Sequence, residues 1–432
     1  MDILTQLQEQ TEQHELLTVR GEATKIAFEA NHLKRSEVEE SSGMAVRVIK
    51  DGRLGFAAST DAGASDKLVE NALQSAAMGE AVPLDFPGAM AAPTVRTYDG
   101  KIEDLPAQAM VELGQGLVEQ VLAVEPEARV NLEINRGVNR LTLRNSAGAD
   151  VGFVRTPLSV SYEISRVKGD DVLLLFGGTG ATVWTEELRD SMREACGKLR
   201  LARQSAALSS GRMPVLFAPT GTLALVLPLL MGLSGKNVHT KTSPLTGKVG
   251  EKLFDDKLTV VDDPTLSGRL GSAAYDDEGV AHRRNVLIEA GTLRRFYYDL
   301  KTAAQDGTES TGNGGRSLFA PPSPALSNVV VGTGTVALAD MLAGVEHGLW
   351  VEDPLGLGQG NVLSGAFSNS LSLAYVIEKG EIAGRVKDVS IAGNVYEVLR
   401  DISAVSRESA WVYGSYCLPY MLISNLNDVA KA

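Results

Sequence analysis

The spacing of hydrophobic and polar residues divides the chain into two parts with different predicted elements. In residues 1–208, stretches with helical spacing alternate with stretches of strand-like alternation. The predicted helices are Ile3–Leu17, Asp66–Met78, Pro106–Ala123 and Glu186–Gln204. The predicted strands are Leu17–Glu29, Met44–Ser59, Arg129–Asn135, Arg140–Asn145, Val151–Arg155, Ser159–Arg166 and Val172–Gly177. Asp51-Gly52 falls between VRVIK and RLGFAA, and this pair is typical of a tight hairpin turn.

The two halves of this first part share one order of elements: helix, strands with a glycine turn, helix. Gly-Phe also recurs in a strand context, at Gly55-Phe56 and at Gly152-Phe153. The shared order suggests an internal duplication with halves 1–80 and 100–205, and coincidence is the equal alternative. In both cases we expect an N-terminal α/β domain over residues 1–208.

From residue 209 onward the pattern is mostly short strands and turns. The predicted strands are Leu258–Val261, Asn285–Glu289, Leu293–Asp299, Val329–Gly332, Gly348–Val351, Leu371–Glu378, Glu381–Val386 and Val389–Ala392. Helical spacing returns at Tyr298–Asp306, Leu338–Ala343 and Val395–Asp401. This pattern predicts a C-terminal β-rich domain over 209–432, barrel-like or a sandwich, and an α+β fold for the whole chain.

The most apolar stretch of the chain opens this second part. Met213–Ala218 predicts a buried strand, and a helix capped by Thr220 or Thr222 should run to Leu233. The helix has no polar face, so we expect it to be buried on all sides. It is shorter than the roughly 20 apolar residues that a bilayer requires. Pro228 lies inside it and predicts a kink or a helix start.

Charge and cysteine content exclude several classes of protein. The net charge of −13 arises from 41 Lys and Arg against 54 Asp and Glu, without a basic cluster, which argues against binding nucleic acid. The polar, acidic start of the chain lacks the features of a signal peptide, so a cytoplasmic location is expected, without membrane association. Cys196 and Cys417 are too few for a disulfide framework and are expected to be buried thiols.

Short catalytic motifs are absent, and the remaining candidates are open to two interpretations. The chain has no GxxxxGK[ST], HExxH or GxSxG sequence, and Gly356–Gly360 lacks the strand and helix of a dinucleotide turn. The clusters Asp262-Asp263 and Asp276-Asp277-Glu278 could bind a hard cation or act as a paired acid and base. Each is followed by a turn former, Pro264 or Gly279, and Asx-type turns are the favoured interpretation.

Two further features complete this set of candidates. The five histidines are too dispersed for a local metal set, and His239, which follows the apolar helix, is expected at the surface or in a loop. Ser310–Arg316 predicts a flexible, donor-rich loop that could bind a carboxylate or an extended peptide, or serve only as a connector.

Several separated strings, in the same order, resemble the TldD/PmbA family, once labelled modulators of DNA gyrase. They are Gly43–Thr60, Asp262-Asp263-Pro264, the run Ala273–Asp299 with Asp276, Glu278 and Gly279, Ser310-Thr311-Gly312-Asn313, the SGAFSN segment with Gly365, and VSIAGN with Gly393 and Asn394. The resemblance spans nearly the whole chain. It gives no role to these individual positions.

The resemblance implies a cytoplasmic metallopeptidase that acts on small or unfolded peptides as a pair of related subunits. In the TldD-like subunit an HExxxH helix holds the metal. The corresponding window here is Val226–Met231, with Val226, Leu227 and Met231 at the histidine and glutamate positions. The resemblance therefore implies a PmbA/TldE-like, non-catalytic subunit without catalytic residues or a cofactor of its own, whose TldD-like paralogue holds the zinc.

Two other functions stay open at this point. The chain could be a stand-alone hydrolase that uses Cys417 or a serine as nucleophile, although no histidine lies near Cys417 in sequence. It could also be a homodimeric peptide-binding or scaffold protein.

Overall fold

The computed structural model describes residues 3–359 and 361–431, and within them it is a mixed α+β structure with two large sheets. The helices are α1 Ile3–Gln8, α2 Ser65–Ala77, α3 Gly100–Glu103, α4 Ala107–Val124, α5 Glu187–Leu201, α6 Pro219–Gly232, α7 Gly235–His239, α8 Leu300–Gln305, α9 Leu338–Ala343 and α10 Val395–Val398. The strands are β1 Gln13–Glu29, β2 His32–Lys50, β3 Arg53–Ser59, β4 Arg129–Asn145, β5 Asp150–Arg155, β6 Leu158–Lys168, β7 Asp171–Ala181, β8 Gly211–Phe217, β9 Val260–Asp262, β10 Asn285–Glu289, β11 Thr292–Leu293, β12 Gly314–Gly315, β13 Ser323–Pro324, β14 Val329–Val331, β15 His347–Pro354, β16 Ala366–Glu378, β17 Glu381–Val386, β18 Val389–Asn394, β19 Ala404–Val412 and β20 Tyr416–Lys431. The sequence predicts that the Gly356–Gly360 segment does not bind a dinucleotide. Gly360 lies outside the described residues.

The first sheet has the strand order β3-β2-β1-β4-β6-β7, with β5 paired to β4, and its pairings are antiparallel. The hairpin predicted at Asp51-Gly52 is confirmed, since both residues have positive φ angles of 52° and 67°. The helix predicted over Ile3–Leu17 is wrong beyond Gln8. The backbone from Gln13 onward pairs with β2, and from Glu15 also with β4, and this pairing outweighs a weak helical pattern.

The proposed duplication has a topological counterpart. The order of the first sheet is symmetric about the β1–β4 pair, with β2 and β3 on one side and β6 and β7 on the other. The two Gly-Phe pairs do not follow this symmetry, because one lies on β3 and the other on the branching strand β5. The duplication and the domain boundary at 208/209 stay predictions.

The second sheet closes on itself. β8 pairs with β15 and with β20, β16 joins β15 to β18, and β18 pairs with β20. β20 is the longest strand of this closed ring. The sequence prediction missed both β19 and β20, and most of the predicted Leu293–Asp299 strand is irregular, with only Thr292–Leu293 paired.

Helix α6 is the apolar helix predicted from the sequence, with three corrections. Ala218 is its N-cap and Pro219 its first residue, so neither Thr220 nor Thr222 caps it. It continues through Pro228 to Gly232, so no helix starts at Pro228. It is not buried on all sides, because Met231 is 41% exposed.

Helices α4 and α5 lie between the two sheets. They share one hydrophobic core with the inner face of the first sheet and with Leu216, Trp350, Leu373, Tyr375 and Ile377 of the second. A separate core surrounds α6 on the other side of the second sheet. No helix within the described residues is both long and apolar enough to cross a bilayer.

Candidate functional site

The window Val226–Met231 lies on the C-terminal half of α6 and presents a narrow exposed stripe. Val226 is fully buried, Leu227 is half-buried and Met231 is exposed. Leu227 and Met231 lie one helical turn apart and therefore on the same face of the helix. Leu227 and Pro228 line a cavity of about 20 Å³ together with residues of β16 that include Ser368 and Asn369. This volume holds no more than about one water molecule.

The side chains of this window do not fit a catalytic zinc ion. Such an ion takes about three protein ligands with nitrogen, oxygen or thiolate donors. Val226 and Leu227 carry no donor atom, and Met231 offers only a soft thioether. Nowhere in the described residues do three or more His, Cys, Asp or Glu side chains form a group that could hold a metal ion.

A buried ion network connects the Asp276–Gly279 motif to the first sheet. Arg47 of β2 donates to both carboxylate oxygens of Glu15 on β1, at 3.0 and 2.7 Å, and to Glu278 Oε1 at 2.6 Å. The three side chains are at most 1% exposed. Burial raises the pKa of Glu15, but Arg47 and Arg316 outweigh it and lower that pKa overall. Burial raises the pKa of Glu278, against the charge of Arg47.

Arg316 completes this network as a second cation on Glu15. Its Nη1 lies 2.7 Å from Glu15 Oε1, and its side chain is 1% exposed. We interpret the contact as an ion pair, because a guanidinium and a carboxylate at this distance attract each other at any angle.

The STGN motif belongs to a second buried network. Asn313 donates to Asp262 Oδ2 at 2.6 Å and to the Ala325 carbonyl at 2.8 Å, and it accepts from Thr311 at 2.7 Å and from Asn285 at 3.2 Å. Burial raises the pKa of Asp262 to about 6. The Ser310–Arg316 segment is therefore not an exposed flexible loop, because Thr311, Asn313 and the side chain of Arg316 are buried and held by neighbouring groups.

Asp263 and Asp276 form the turns that the following residues predict. Asp263 Oδ1 accepts from the Thr265 N–H at 3.0 Å, next to Pro264, whose carbonyl accepts from Ala273. Asp276 Oδ1 accepts from the N–H groups of Glu278 and Val280, both at 2.9 Å, and its Oδ2 accepts from Gly314. Gly279 and Gly312 have positive φ angles of 82° and 73°, which favour glycine.

The remaining motif positions, Gly365, Gly393 and Asn394, lie at the ends of β16 and β18, outside these two networks. Asn394 caps α10 by accepting from the Tyr396 N–H at 2.9 Å, and its amide donates to the Ser364 carbonyl beside Gly365, which has a φ of 82°. Gly393 lies against the Phe367 ring, where a Cβ atom would be 2.8 Å from it. These positions are structural contacts of β16 and β18.

Within the described residues, neither thiol lies beside a histidine with which it forms a hydrogen bond. Cys196 is buried as expected, but Cys417 is only half-buried. Cys417 Sγ lies 3.6 Å from Ser409 Oγ, and a hydroxyl cannot act as its base. His239 is partly exposed and its Nδ1 lies 2.7 Å from Asp306.

The sequence analysis missed a cavity of about 290 Å³ between the first sheet and the motif segments. Arg155 of β5, Asp276, Asp277, His282 and Asn313 are among the residues that line it. Arg155 lies more than 100 positions from the other four in the sequence, and no local spacing connects them. The acidic cluster Asp276-Asp277-Glu278, the Ser310–Arg316 segment and the family resemblance of the 273–299 and 310–313 strings indicated part of this site, but not Arg155.

Comparison with known proteins identifies the family. Residues 210–429 match the model of the PmbA/TldA metallopeptidase C-terminal domain, which covers half of the chain, and residues 15–76 match domain 1 of the same family. The chain belongs to the PmbA/TldD metallopeptidase family. The family resemblance found in the sequence motifs is thereby confirmed.

Individual relatives agree with this assignment. A metalloprotease TldD homolog from Haemophilus influenzae is 32% identical over 66% of this chain and 55% of its own length, so the match spans little more than half of that protein. A metalloprotease from Methanothermobacter thermautotrophicus is 26% identical over 94% of this chain and 90% of its own. The crystal structure of TldE from Thermococcus kodakarensis superposes with a TM-score of 0.90 at 26% identity, over 99% of each chain.

Proposed function

We propose that this chain is a non-catalytic, PmbA/TldE-like subunit of a cytoplasmic metallopeptidase that acts on small or unfolded peptides. In this proposal a TldD-like paralogue holds the zinc and forms a heterodimer or a larger assembly with this chain. The observation that carries the proposal is the α6 window, whose Val226, Leu227 and Met231 supply no zinc ligand where the family places HExxxH.

The surroundings of the window support a role along the peptide path. Residues 366–369 of β16 pair with β18 on one side, and their other side has no strand partner among the described residues. These residues also line the small cavity at Leu227. An extended peptide can add to such an edge by forming main-chain hydrogen bonds. We therefore place the peptide contact of this subunit at residues 366–369.

The test is to purify the chain alone and together with a metal-bearing paralogue from the same genome. Metal analysis should find no stoichiometric zinc in the chain alone, and peptide cleavage should require both proteins. One tightly held zinc per isolated chain would overturn the proposal. Peptide binding by a stable homodimer that ignores the paralogue would favour the scaffold alternative.

A Cys417→Ala variant tests the remaining alternative, a stand-alone hydrolase with Cys417 as its nucleophile. If the isolated chain cleaves peptides and the variant loses that activity, the chain is a thiol hydrolase and the subunit proposal fails. If the joint activity with the paralogue is unchanged in the variant, Cys417 has no part in the chemistry.

A further inference from the structure

The cavity beside the Asp276–Gly279 motif is lined by charged side chains of opposite sign that form no ion pair with each other in the described residues. Its volume of about 290 Å³ lies just below the roughly 300–1,000 Å³ that is usual for ligand sites. Arg155 forms no ion pair with any described residue, and the one hydrogen bond that its side chain makes to them is from Nη2 to the Leu270 carbonyl. A guanidinium has five N–H donors, so most of its donor capacity remains available.

Two acceptors on the cavity wall, Asp277 and His282, keep a free acceptor atom among the described residues. Asp277 Oδ2 accepts from the Arg316 backbone N–H at 3.0 Å, and no described donor binds Oδ1. His282 Nδ1 lies 2.9 Å from the Ala273 carbonyl, and a carbonyl only accepts, so Nδ1 carries the hydrogen. Burial lowers the pKa of His282 to about 4, which keeps the ring neutral and leaves Nε2 as an acceptor.

Arg155 and Asp277 are close enough to influence each other without touching. Burial has the largest effect on both groups and lowers the pKa of Arg155 while it raises the pKa of Asp277. Against burial, the Asp277 charge raises the pKa of Arg155, and the charges of Arg316 and then Arg155 lower the pKa of Asp277. Asp276, the other carboxylate of the cavity, has both oxygens occupied by backbone N–H groups. The cavity thus presents one available cation and one available anion, separated by space.

We propose that this cavity binds a small zwitterion, an α-amino acid or a dipeptide. Arg155 binds its carboxylate, and Asp277 together with His282 binds its ammonium group. Phe153, Leu270 and Leu326 line the same cavity and leave room for a short aliphatic side chain. Because β5 supplies Arg155 and the motif segments supply Asp277 and His282, the ligand would bridge the first sheet and the C-terminal region.

The proposal is tested by calorimetric titration of the full chain, without any partner, with L-alanine and L-alanyl-L-alanine. N-acetyl-alanine lacks the ammonium group and alanine amide lacks the carboxylate. At least one zwitterion should bind, and each blocked analogue should bind at least about tenfold more weakly, as expected for the loss of a charge-assisted hydrogen bond. Absence of binding at millimolar concentrations, or equal binding of the blocked analogues, would overturn the proposal.

Matched variants locate the site. Arg155→Gln and Asp277→Asn keep size and polarity but remove one charge each, and each should weaken zwitterion binding at least about tenfold. Arg144→Gln and Asp150→Asn remove the same charges from an exposed cross-strand pair of β4 and β5 and should leave binding unchanged. Equal binding by the cavity variants and the wild type would place the ligand elsewhere. The result does not depend on the subunit proposal, because no peptidase activity is measured.

Discussion

At the scale of single residues, Arg47 makes the most consequential contacts of the described chain, since it neutralises two carboxylates that have no access to solvent. Replacing Arg47 with methionine keeps much of its volume but leaves Glu15 and Glu278 buried with less compensation. We expect the free energy of unfolding at neutral pH to fall by about 3–5 kcal/mol, measured by urea denaturation. Arg35→Met is the control on the same strand, because the exposed Arg35–Glu37 pair should contribute no more than about 1 kcal/mol.

The loss caused by Arg47→Met should also depend on pH. In the native protein the pKa of Glu15 is lowered, so its contribution to stability is present at neutral pH and is lost as the pH falls through that lowered value. Without Arg47, burial should raise the pKa of both carboxyl groups, and acid then protonates them in the folded state. The difference in stability between the variant and the wild type should therefore shrink as the pH falls. A difference that is constant with pH would contradict this account.

At the scale of secondary-structure elements, α6 carries a proline where helices rarely tolerate one. Pro228 removes the hydrogen bond to the Ala224 carbonyl and its ring crowds that carbonyl, at a cost of about 3 kcal/mol. Pro228→Ala restores the bond but removes two buried ring carbons, at about 0.8 kcal/mol each. We expect a net gain in stability of about 1 kcal/mol, measured by thermal and urea unfolding.

Pro219 is the matched control on the same helix. It occupies the first helical position, where the missing N–H has no helical partner and the fixed φ angle suits the helix. Pro219→Ala should therefore destabilise the protein, in part because the unfolded chain gains freedom. If both alanine variants change stability in the same direction, the helical hydrogen bond at Pro228 does not decide the effect.

Elements whose pattern is local could be predicted from the sequence, and elements defined by distant contacts could not. The Asp51-Gly52 hairpin, β10 and α9 follow from turn residues and periodicity alone. β1 begins earlier than predicted because its first residues pair with β2 and β4, which the sequence does not reveal. In the same way, the acidic motif at Asp276 can be recognised in the sequence, but Arg47, which binds Glu278, and Arg155, which lines the adjoining cavity, lie on strands of the first sheet.

At the scale of the whole molecule, the two sheets are connected by both apolar and ionic contacts. Helices α4 and α5 have apolar neighbours in both sheets. Lys198 of α5 pairs with Glu352 of β15 at 2.7 Å, and the Phe176 N–H of β7 donates to Asp353 at 2.9 Å. Arg385 of β17 pairs with Asp171 of β7 at 2.8 Å. Domains joined by a large hydrophobic interface do not behave as independent units.

These contacts predict one cooperative unfolding transition for the intact chain, although its length alone suggests two domains. Scanning calorimetry should show a single peak, with fluorescence and circular dichroism changing at the same temperature. Tyr375→Ala removes a buried side chain of the shared core, which also donates to the Lys198 carbonyl, and should lower the stability of both regions together. Val376→Ala is the control on the next residue, since its side chain belongs to the separate core around α6. If the intact chain melts in two separated steps and Tyr375→Ala shifts only one of them, the sheets are energetically independent and the boundary at 208/209 separates two folding units.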